Sequence, residues 1–134
     1  MRLNEDCIRD VLLSLEDALE MSDVHFLKGL AWPQIYNLPR LEKYDQNDLL
    51  YTLIKLEEAD LIVARITFGN KSVGLRQCYV ESITYEGHHL LDNVRSNKVW
   101  KKVKEVSTNI GGLAIPEMVK IAAQIVLALG TQLV

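Results

Sequence analysis

The chain has 134 residues, of which 49% are hydrophobic and 25% are charged, and its net charge is −3. This composition is typical of one folded domain and excludes a disordered chain, while the acidic balance argues against a general polyanion-binding protein. The charge is unevenly placed: residues 1–60 carry 13 acidic and six basic residues, whereas residues 61–134 carry five acidic and nine basic ones. A chain polarised in this way is suited to docking a charged partner on one side.

Cysteine usage and the apolar segments predict a cytoplasmic protein. Cys7 and Cys78 lie far apart, each beside an apolar residue, and we expect buried reduced thiols rather than a disulfide. The first residues are charged at once, unlike those of a signal peptide. The most apolar segment, residues 118–129, contains Lys120 and Gln124 and falls short of a membrane span, so no membrane association is expected.

The first helix is predicted over residues 5–20, where Asn4 is the expected N-cap and apolar side chains recur at helical spacing. One glycine and two prolines interrupt the next stretch, residues 21–43. That stretch therefore predicts short strands or loops, with one helical turn at residues 39–43.

A second helix is predicted to start at Asp45, with Asp48 in the capping-box position and four leucines facing inward: Leu49, Leu50, Leu53 and Leu56. Asp60 is expected to end this helix in the left-handed conformation. Two alternating strands, residues 61–68 and 75–83, then flank a turn at residues 69–74 and predict a β-hairpin, with Ile62, Ala64, Ile66 and Phe68 on one face.

Three further helices are expected towards the end of the chain. Thr84 caps the first, and the next begins near Asn97 with an inward row of Val99, Val103, Val106 and Ile110 before Gly111 and Gly112 stop it. The last opens at Pro116 and is apolar around most of its circumference. Such a helix predicts a dimer interface at Met118, Val119, Ile121, Ala122, Ile125, Val126 and Leu129, the alternative being that it packs between helices of its own chain.

The order helix, strand, turn, strand, helix between residues 44 and 91 predicts an α+β fold of the winged-helix type. We assign residues 1–95 to this winged-helix-like domain. Residues 96–134 are expected to form a C-terminal helical extension that is packed on the same domain.

Three segments resemble a known family: residues 1–13, residues 50–62, and residues 83–105 with the sequence ITYEGHHLLDNVRSNKVWKKVKE. This is a family of short proteins common in bacterial prophages and mobile elements, described only as a domain of unknown function. The resemblance implies a winged-helix-like fold and a phage or mobile-element setting, and it implies no activity and no site residues. Asp60 stands where the family usually has glycine, which is a conservative change for a helix cap.

Nucleic-acid binding is the first functional hypothesis. A winged helix lays one helix in the major groove while the hairpin touches the phosphates. The predicted groove contacts are Asn47, Tyr51 and Lys55, and the predicted phosphate contacts are Arg65, Lys71 and Arg76. With three phosphate contacts, the logarithm of the binding constant falls with the logarithm of the salt concentration with a slope of about −2.7. That slope is shallow for a DNA-binding protein. The basic run Lys98, Lys101, Lys102 and Lys104 would add to it, although those lysines also fit an ordinary solvated helix face.

Protein binding is the alternative hypothesis. The acidic N-terminal half would dock a basic patch on a host protein, as a phage-encoded inhibitor or adaptor does, through Glu16, Asp17, Glu20, Asp45, Asp48, Glu57 and Glu58. Neither hypothesis involves catalysis, a metal or a cofactor. The adjacent His88 and His89 would point about 100° apart on a helix and cannot share an ion comfortably, and no glycine-rich phosphate loop or nucleophile elbow occurs.

Overall fold

A computed structural model describes residues 2–21, 27–70 and 74–132. Within these residues the chain forms six helices and five strands, so the predicted α+β class is confirmed at that level. In chain order the elements are α1 (Glu5–Ala18), β1 (Glu20–Met21), β2 (Leu27–Lys28), β3 (Leu30–Ala31), α2 (Trp32–Tyr36), α3 (Gln46–Glu58), β4 (Ile62–Phe68), β5 (Leu75–Ile83), α4 (Tyr85–Val94), α5 (Asn97–Ile110) and α6 (Ile115–Gln132).

The strands form two small antiparallel sheets. The larger one has the order β3-β5-β4, with Leu30 opposite Val80 and Arg65 opposite Tyr79. The smaller one pairs β1 with β2. The predicted hairpin is therefore present as β4 and β5, although the tip of its turn, residues 71–73, lies outside the described residues.

The predicted helix caps are observed at the expected positions. Asn4 Oδ1 accepts a hydrogen bond from the Cys7 amide at 3.2 Å, and Asp45 Oδ1 accepts one from the Asn47 amide at 2.7 Å. Asp60 has a φ of 61°, the left-handed conformation that terminates α3. These caps satisfy amide groups that have no partner within their own helix, which explains why local sequence located the boundaries well.

One hydrophobic core extends through all the long helices. Apolar side chains from α1, α3, β5, α4 and α5 are buried in it, and α6 adds Met118 and Ala122, both with no exposed surface. The leucines that were predicted to face inward on α3 lie in this core, except for Leu50, which is half-buried at its edge. The last two helices therefore complete the same core as the sheet and the first helix.

Three local predictions were wrong. Residues 39–43 form successive turns rather than helix, and the short helix of this region is α2, which has Pro33 in its first turn. Ile110 is 63% exposed, because it is the last residue of α5 and no element covers it there. Phe68 is 53% exposed, because a register shift between Thr67 and Phe68 interrupts the alternation at the end of β4.

The start of α4 lies unusually close to the start of β4. A Cβ atom at Gly87 would be 2.0 Å from the carbonyl oxygen of Leu61 and 2.7 Å from a methyl group of Ile83. The Leu61 carbonyl also accepts a hydrogen bond from the Thr84 amide at 3.0 Å, so it is held in place. Only glycine allows α4 to approach the sheet this closely.

We therefore expect Gly87→Ala to lower the free energy of unfolding by roughly 1–3 kcal/mol, because the added methyl group forces α4 away from the backbone at Leu61. Urea unfolding of purified protein measures the change. Gly130→Ala is the matched control, since a Cβ there meets nothing within 4 Å. That control should gain up to about 1 kcal/mol from the higher helix propensity of alanine. Equal stability of Gly87→Ala and the unmodified protein would contradict the close approach.

Candidate interaction surfaces

Helix α3 presents a largely acidic surface. Residues 45–60, which cover the helix and its caps, contain five acidic residues and one basic residue, a net charge of −4. Asp45, Asn47, Glu57 and Glu58 are exposed, and Asp48 is half-buried. The outer face that was predicted to contact a DNA groove is therefore dominated by carboxylates, which repel phosphates.

The basic residue of α3 is held by an acidic neighbour. Lys55 Nζ lies 2.9 Å from Glu58 Oε2 and 5.4 Å from the centre of the Tyr51 ring. Its hydrogen bond to Glu58 raises the pKa of Lys55. Tyr51 and Lys55 are both half-buried and line a cleft against the α5–α6 connection. The spacing of three between Lys55 and Glu58 can be read from the sequence. The position of the α5–α6 connection beside Tyr51 and Lys55 was not predicted.

The hairpin offers fewer free cations than predicted. Arg65 Nε lies 3.1 Å from Glu81 Oε1 on the neighbouring strand. Arg76 is exposed, and no ion pair involves it within the described part of the chain. The predicted phosphate contact Lys71 lies outside the described residues. Two of the three predicted phosphate contacts are therefore described. Within that described part, Arg65 is paired with an acid, and Arg76 is not.

Two of the acids that were predicted to bind a protein partner lie on α1 and make ion pairs with other parts of the chain. Glu16 accepts two hydrogen bonds from Arg95, at 2.6 and 2.7 Å, and Arg95 also donates to Asp92 at 3.0 Å. The hydrogen bonds from Arg95 lower the pKa of Glu16. Asp17 pairs with Arg40 at 2.7 Å. These residues join α1 to its neighbours, so of the predicted protein-binding set the exposed acids of α3 are the better placed for a partner.

The remaining member of that predicted set, Glu20, lies in β1 with Lys28 opposite it in the register. Its side chain is outside the described part of the structure.

A polar cleft of about 600 Å³ lies between α1, the start of α3 and α5. Asp10 accepts a hydrogen bond from the Tyr44 hydroxyl at 2.6 Å and pairs with Lys43 at 3.1 Å. Asp6 accepts from Trp100 Nε1 and from Lys104 Nζ, both at 3.0 Å. Burial alone would raise the pKa of Asp6, but these hydrogen bonds outweigh it and the pKa lies below its usual value. The cleft is thus an internally paired network.

Arg9 caps the C-terminal end of α4. Its guanidinium donates hydrogen bonds at 2.8 Å to the carbonyl oxygens of Val94 and Arg95 and to Asn97 Oδ1, and it lies 5.9 Å from the centre of the Trp100 ring. A cation at a helix C-terminus is favourable because the last carbonyls carry partial negative charge. No local signal around Arg9 indicates this role, since its acceptors lie more than 80 residues away.

The last two helices carry a basic surface and an apolar one. Lys98, Lys101 and Lys102 are exposed on α5, whereas Lys104 is paired with Asp6. On α6, Met118 and Ala122 were predicted at a dimer interface but are fully buried in the chain's own core. The other predicted interface residues range from half-buried to exposed and are Val119, Ile121, Ile125, Val126 and Leu129. Leu127, which was not predicted, is 71% exposed. Dimerisation through this face stays a prediction.

The described histidines lie on α4, whereas Cys7 lies on α1 and Cys78 on β5. His88 and His89 are exposed on α4, and the His89 ring stacks on Tyr85 with a centroid distance of 6.3 Å. In the described ranges, no group of three or more histidine, cysteine or acidic side chains is placed to hold a metal ion. Cys7 and Cys78 are free and buried, as predicted, and burial raises the pKa of each thiol to about 11.

No helix of the described chain combines the length and the hydropathy that crossing a bilayer requires.

The fold and its surfaces define a small α+β domain whose helix α3 presents acidic side chains. The chain belongs to the family described as "Hypothetical protein (DUF2513)", whose model matches residues 2–114. This confirms the predicted membership in a family of unknown function. The chain is also similar to a protein of Haemophilus influenzae described as "Uncharacterized protein", with 29% identity over 104 residues, which is 78% of this chain and 76% of that protein. No solved structure matches it.

The Glu16–Arg95 pair predicts a pH-dependent stability. Because the folded pKa of Glu16 lies below its usual value of 4.5, its contribution is complete above that pH and is lost as the pH falls through the folded pKa. Both side chains are partly exposed, so the contribution at neutral pH is roughly 0.5–1 kcal/mol.

We expect Glu16→Gln to be less stable than the unmodified protein at neutral pH and equally stable in acid. Urea titrations over that pH range measure the difference, with Glu57→Gln, an exposed acid, as the control. A difference that stays constant from neutral pH into acid would contradict this role of the pair.

Proposed function

We propose that this protein is a non-enzymatic winged-helix module that binds a basic protein partner through the outer face of α3. The winged-helix assignment is supported by the element order β3, α2, α3, β4, β5 that follows α1, β1 and β2, in which two helices precede a hairpin. The sheet order β3-β5-β4, in which the short strand before the two helices lies beside the second strand of the hairpin, supports it further. This arrangement presents α3 and the hairpin as the contact elements.

The choice of a protein partner over DNA depends on one observation, the distribution of paired and unpaired charges. Lys55 and Arg65, two of the cations that would face DNA, are already paired with Glu58 and Glu81. The acids Asp45 and Glu57 stay exposed on a segment of net charge −4. A DNA duplex approaching this face would meet repulsion, whereas a basic protein surface would be attracted and oriented.

The partner that fits this surface is a protein with a cluster of lysine and arginine residues. Basic clusters of this kind are typical of nucleic-acid-binding surfaces. A prophage or mobile-element setting, which the family resemblance implies, suits a small acidic protein that occupies such a surface on a host protein. The protein would then act as an inhibitor or adaptor.

Reversing the charges at Asp48 and Glu57 tests this proposal. We expect the Asp48→Lys/Glu57→Lys variant to lose a specific host partner, with affinity reduced more than about tenfold, because like charges across an interface cost several kcal/mol. Affinity purification from a bacterial host, followed by titration with the purified partner, measures the loss. Glu86→Lys is the control, since Glu86 is exposed like Glu57 and lies in the first turn of its helix like Asp48.

Retention of the partner by the double variant would overturn the proposal, as would equal loss in the control. Circular dichroism and thermal unfolding of each variant separate a lost contact from a lost fold.

Nucleic-acid binding is the second candidate, and the exposed cations favour it. Arg76 on the hairpin and Lys98, Lys101 and Lys102 on α5 are exposed, and within the described residues no acid pairs with them. In this candidate Asn47, Tyr51 and Lys55 contact the groove, while Arg65, Lys71 and Arg76 contact phosphates. The acidic α3 face opposes such binding, so we rank it below protein binding.

The salt dependence of duplex binding tests the second candidate. If α5 contacts phosphates, replacing Lys98, Lys101 and Lys102 with alanine should reduce the log–log salt slope by about 2.7, one unit of ~0.9 for each lost contact. Fluorescence anisotropy with a labelled random duplex measures the slope, and Lys120→Ala on α6 is the control. Our first proposal expects the unmodified protein to bind this duplex weakly or not at all at low salt.

A further inference from the structure

A largely apolar cleft of about 390 Å³ opens beside the C-terminal half of α3. One wall is formed by α3 and its end, and the other by Leu3 and the connection between α5 and α6. The lining residues on the α3 side are Tyr51, Lys55, Glu58 and Ala59; on the other side they are Leu113 and Ala114 of the connection and Ile115 and Pro116 at the start of α6. The cleft is thus built by parts of the chain that are far apart in sequence.

The rim of this cleft is negatively charged. Glu58 lines it, and the neighbouring Glu57 and Asp60 are exposed at the same end of α3. The one lining cation, Lys55, is drawn to Glu58 at 2.9 Å and lies over the Tyr51 ring. An apolar floor with a carboxylate rim selects a ligand that is apolar at its centre and positive around it.

We propose that this cleft is the anchor site of the interface: it receives one large apolar side chain of the partner, and the exposed acids Glu57 and Asp60 pair with lysine or arginine residues flanking that side chain. This inference rests on the proposed function, because it assigns the partner's contact chemistry on the same α3 surface. It adds a specific site to what was otherwise a general electrostatic attraction.

A peptide side chain is the occupant that the cleft fits best. Binding pockets for whole small molecules span about 300–1,000 Å³, so this one lies at the small end. Stable protein interfaces concentrate their affinity in a few apolar or aromatic anchors that fill pockets and are surrounded by polar contacts. The acidic rim disfavours a nucleic acid or an acidic ligand in the same position.

Selection from a displayed library of short random peptides tests the inference on the full chain. We expect the selected peptides to share an aromatic or large aliphatic residue flanked by lysine or arginine. Their affinities are then measured for the unmodified protein and for Ala114→Trp, which fills the cleft from an exposed position without changing any charge. Filling the cleft should weaken binding at least about tenfold, because the anchor loses its apolar burial.

Two further variants make the result independent of folding defects. Tyr51→Ala removes one wall of the cleft and should weaken binding to a similar extent. Ala128→Trp adds the same bulky side chain at an exposed position on α6 and should leave affinity unchanged. Thermal unfolding of each variant shows whether the fold is kept.

The outcomes separate the cleft from the general proposal. If basic peptides bind, lose affinity on Asp48→Lys/Glu57→Lys and are unaffected by Ala114→Trp, the anchor site is overturned while the acidic surface is retained. Peptides that are apolar without basic flanks would overturn the role of Glu57 and Asp60. Failure to select any peptide above background would overturn the cleft as an anchor site, while the affinity purification with Asp48→Lys/Glu57→Lys decides the protein-binding proposal separately.

Discussion

The contact between α1 and the two helices α4 and α5 determines much of what this molecule presents to a partner. Arg9 closes the end of α4, while Asp6 holds Trp100 and Lys104 on α5 and Glu5 accepts a hydrogen bond from Ser107. These bonds fix the course of α5 along α1. The connection that follows α5 is thereby brought against α3, where it covers Tyr51 and creates the apolar cleft.

Internal pairing also decides which charges are left for a partner. Lys55 and Arg65 are paired with acids of the same chain, whereas Glu57 on α3 makes no ion pair within the described residues. The net charge of the whole protein, −3, conceals this difference, since the exposed lysines of α5 offset the acids elsewhere in the sum. The kind of partner that a surface attracts therefore depends on its unpaired charges rather than on the net charge of the whole protein.

Local sequence predicted the elements whose limits depend on local chemistry. Asn4, Asp45 and Thr84 cap helices through bonds to amides two or three residues away, and the alternating residues of the hairpin report one buried face. The Lys55–Glu58 pair was not predicted, although its spacing of three on a helix is a local signal that could have found it. Short strands were expected within residues 21–43, but their positions were not, because strands of two residues carry too little pattern. The helical turn was placed at residues 39–43 instead of at α2.

The contacts between distant segments could not be predicted. Arg9 and the carbonyl of Val94 are separated by 85 residues, and the Arg65–Glu81 pair depends on the strand register. The cleft depends on where the α5–α6 connection lies, which no residue of α3 indicates. The sequence of α3 and the hairpin did not show that Lys55 and Arg65, two of the predicted DNA contacts, are paired with acids.

The placement of α6 has a consequence for how the domain is delimited. The family match ends at residue 114, yet Met118 and Ala122 on α6 fill the space between α4 and α5. A protein trimmed at that limit would leave the inner sides of both helices uncovered and prone to aggregate. The hydrophobic core thus extends beyond the segment that the family model matches, so α6 should be kept in any truncated version made for crystallisation or binding studies.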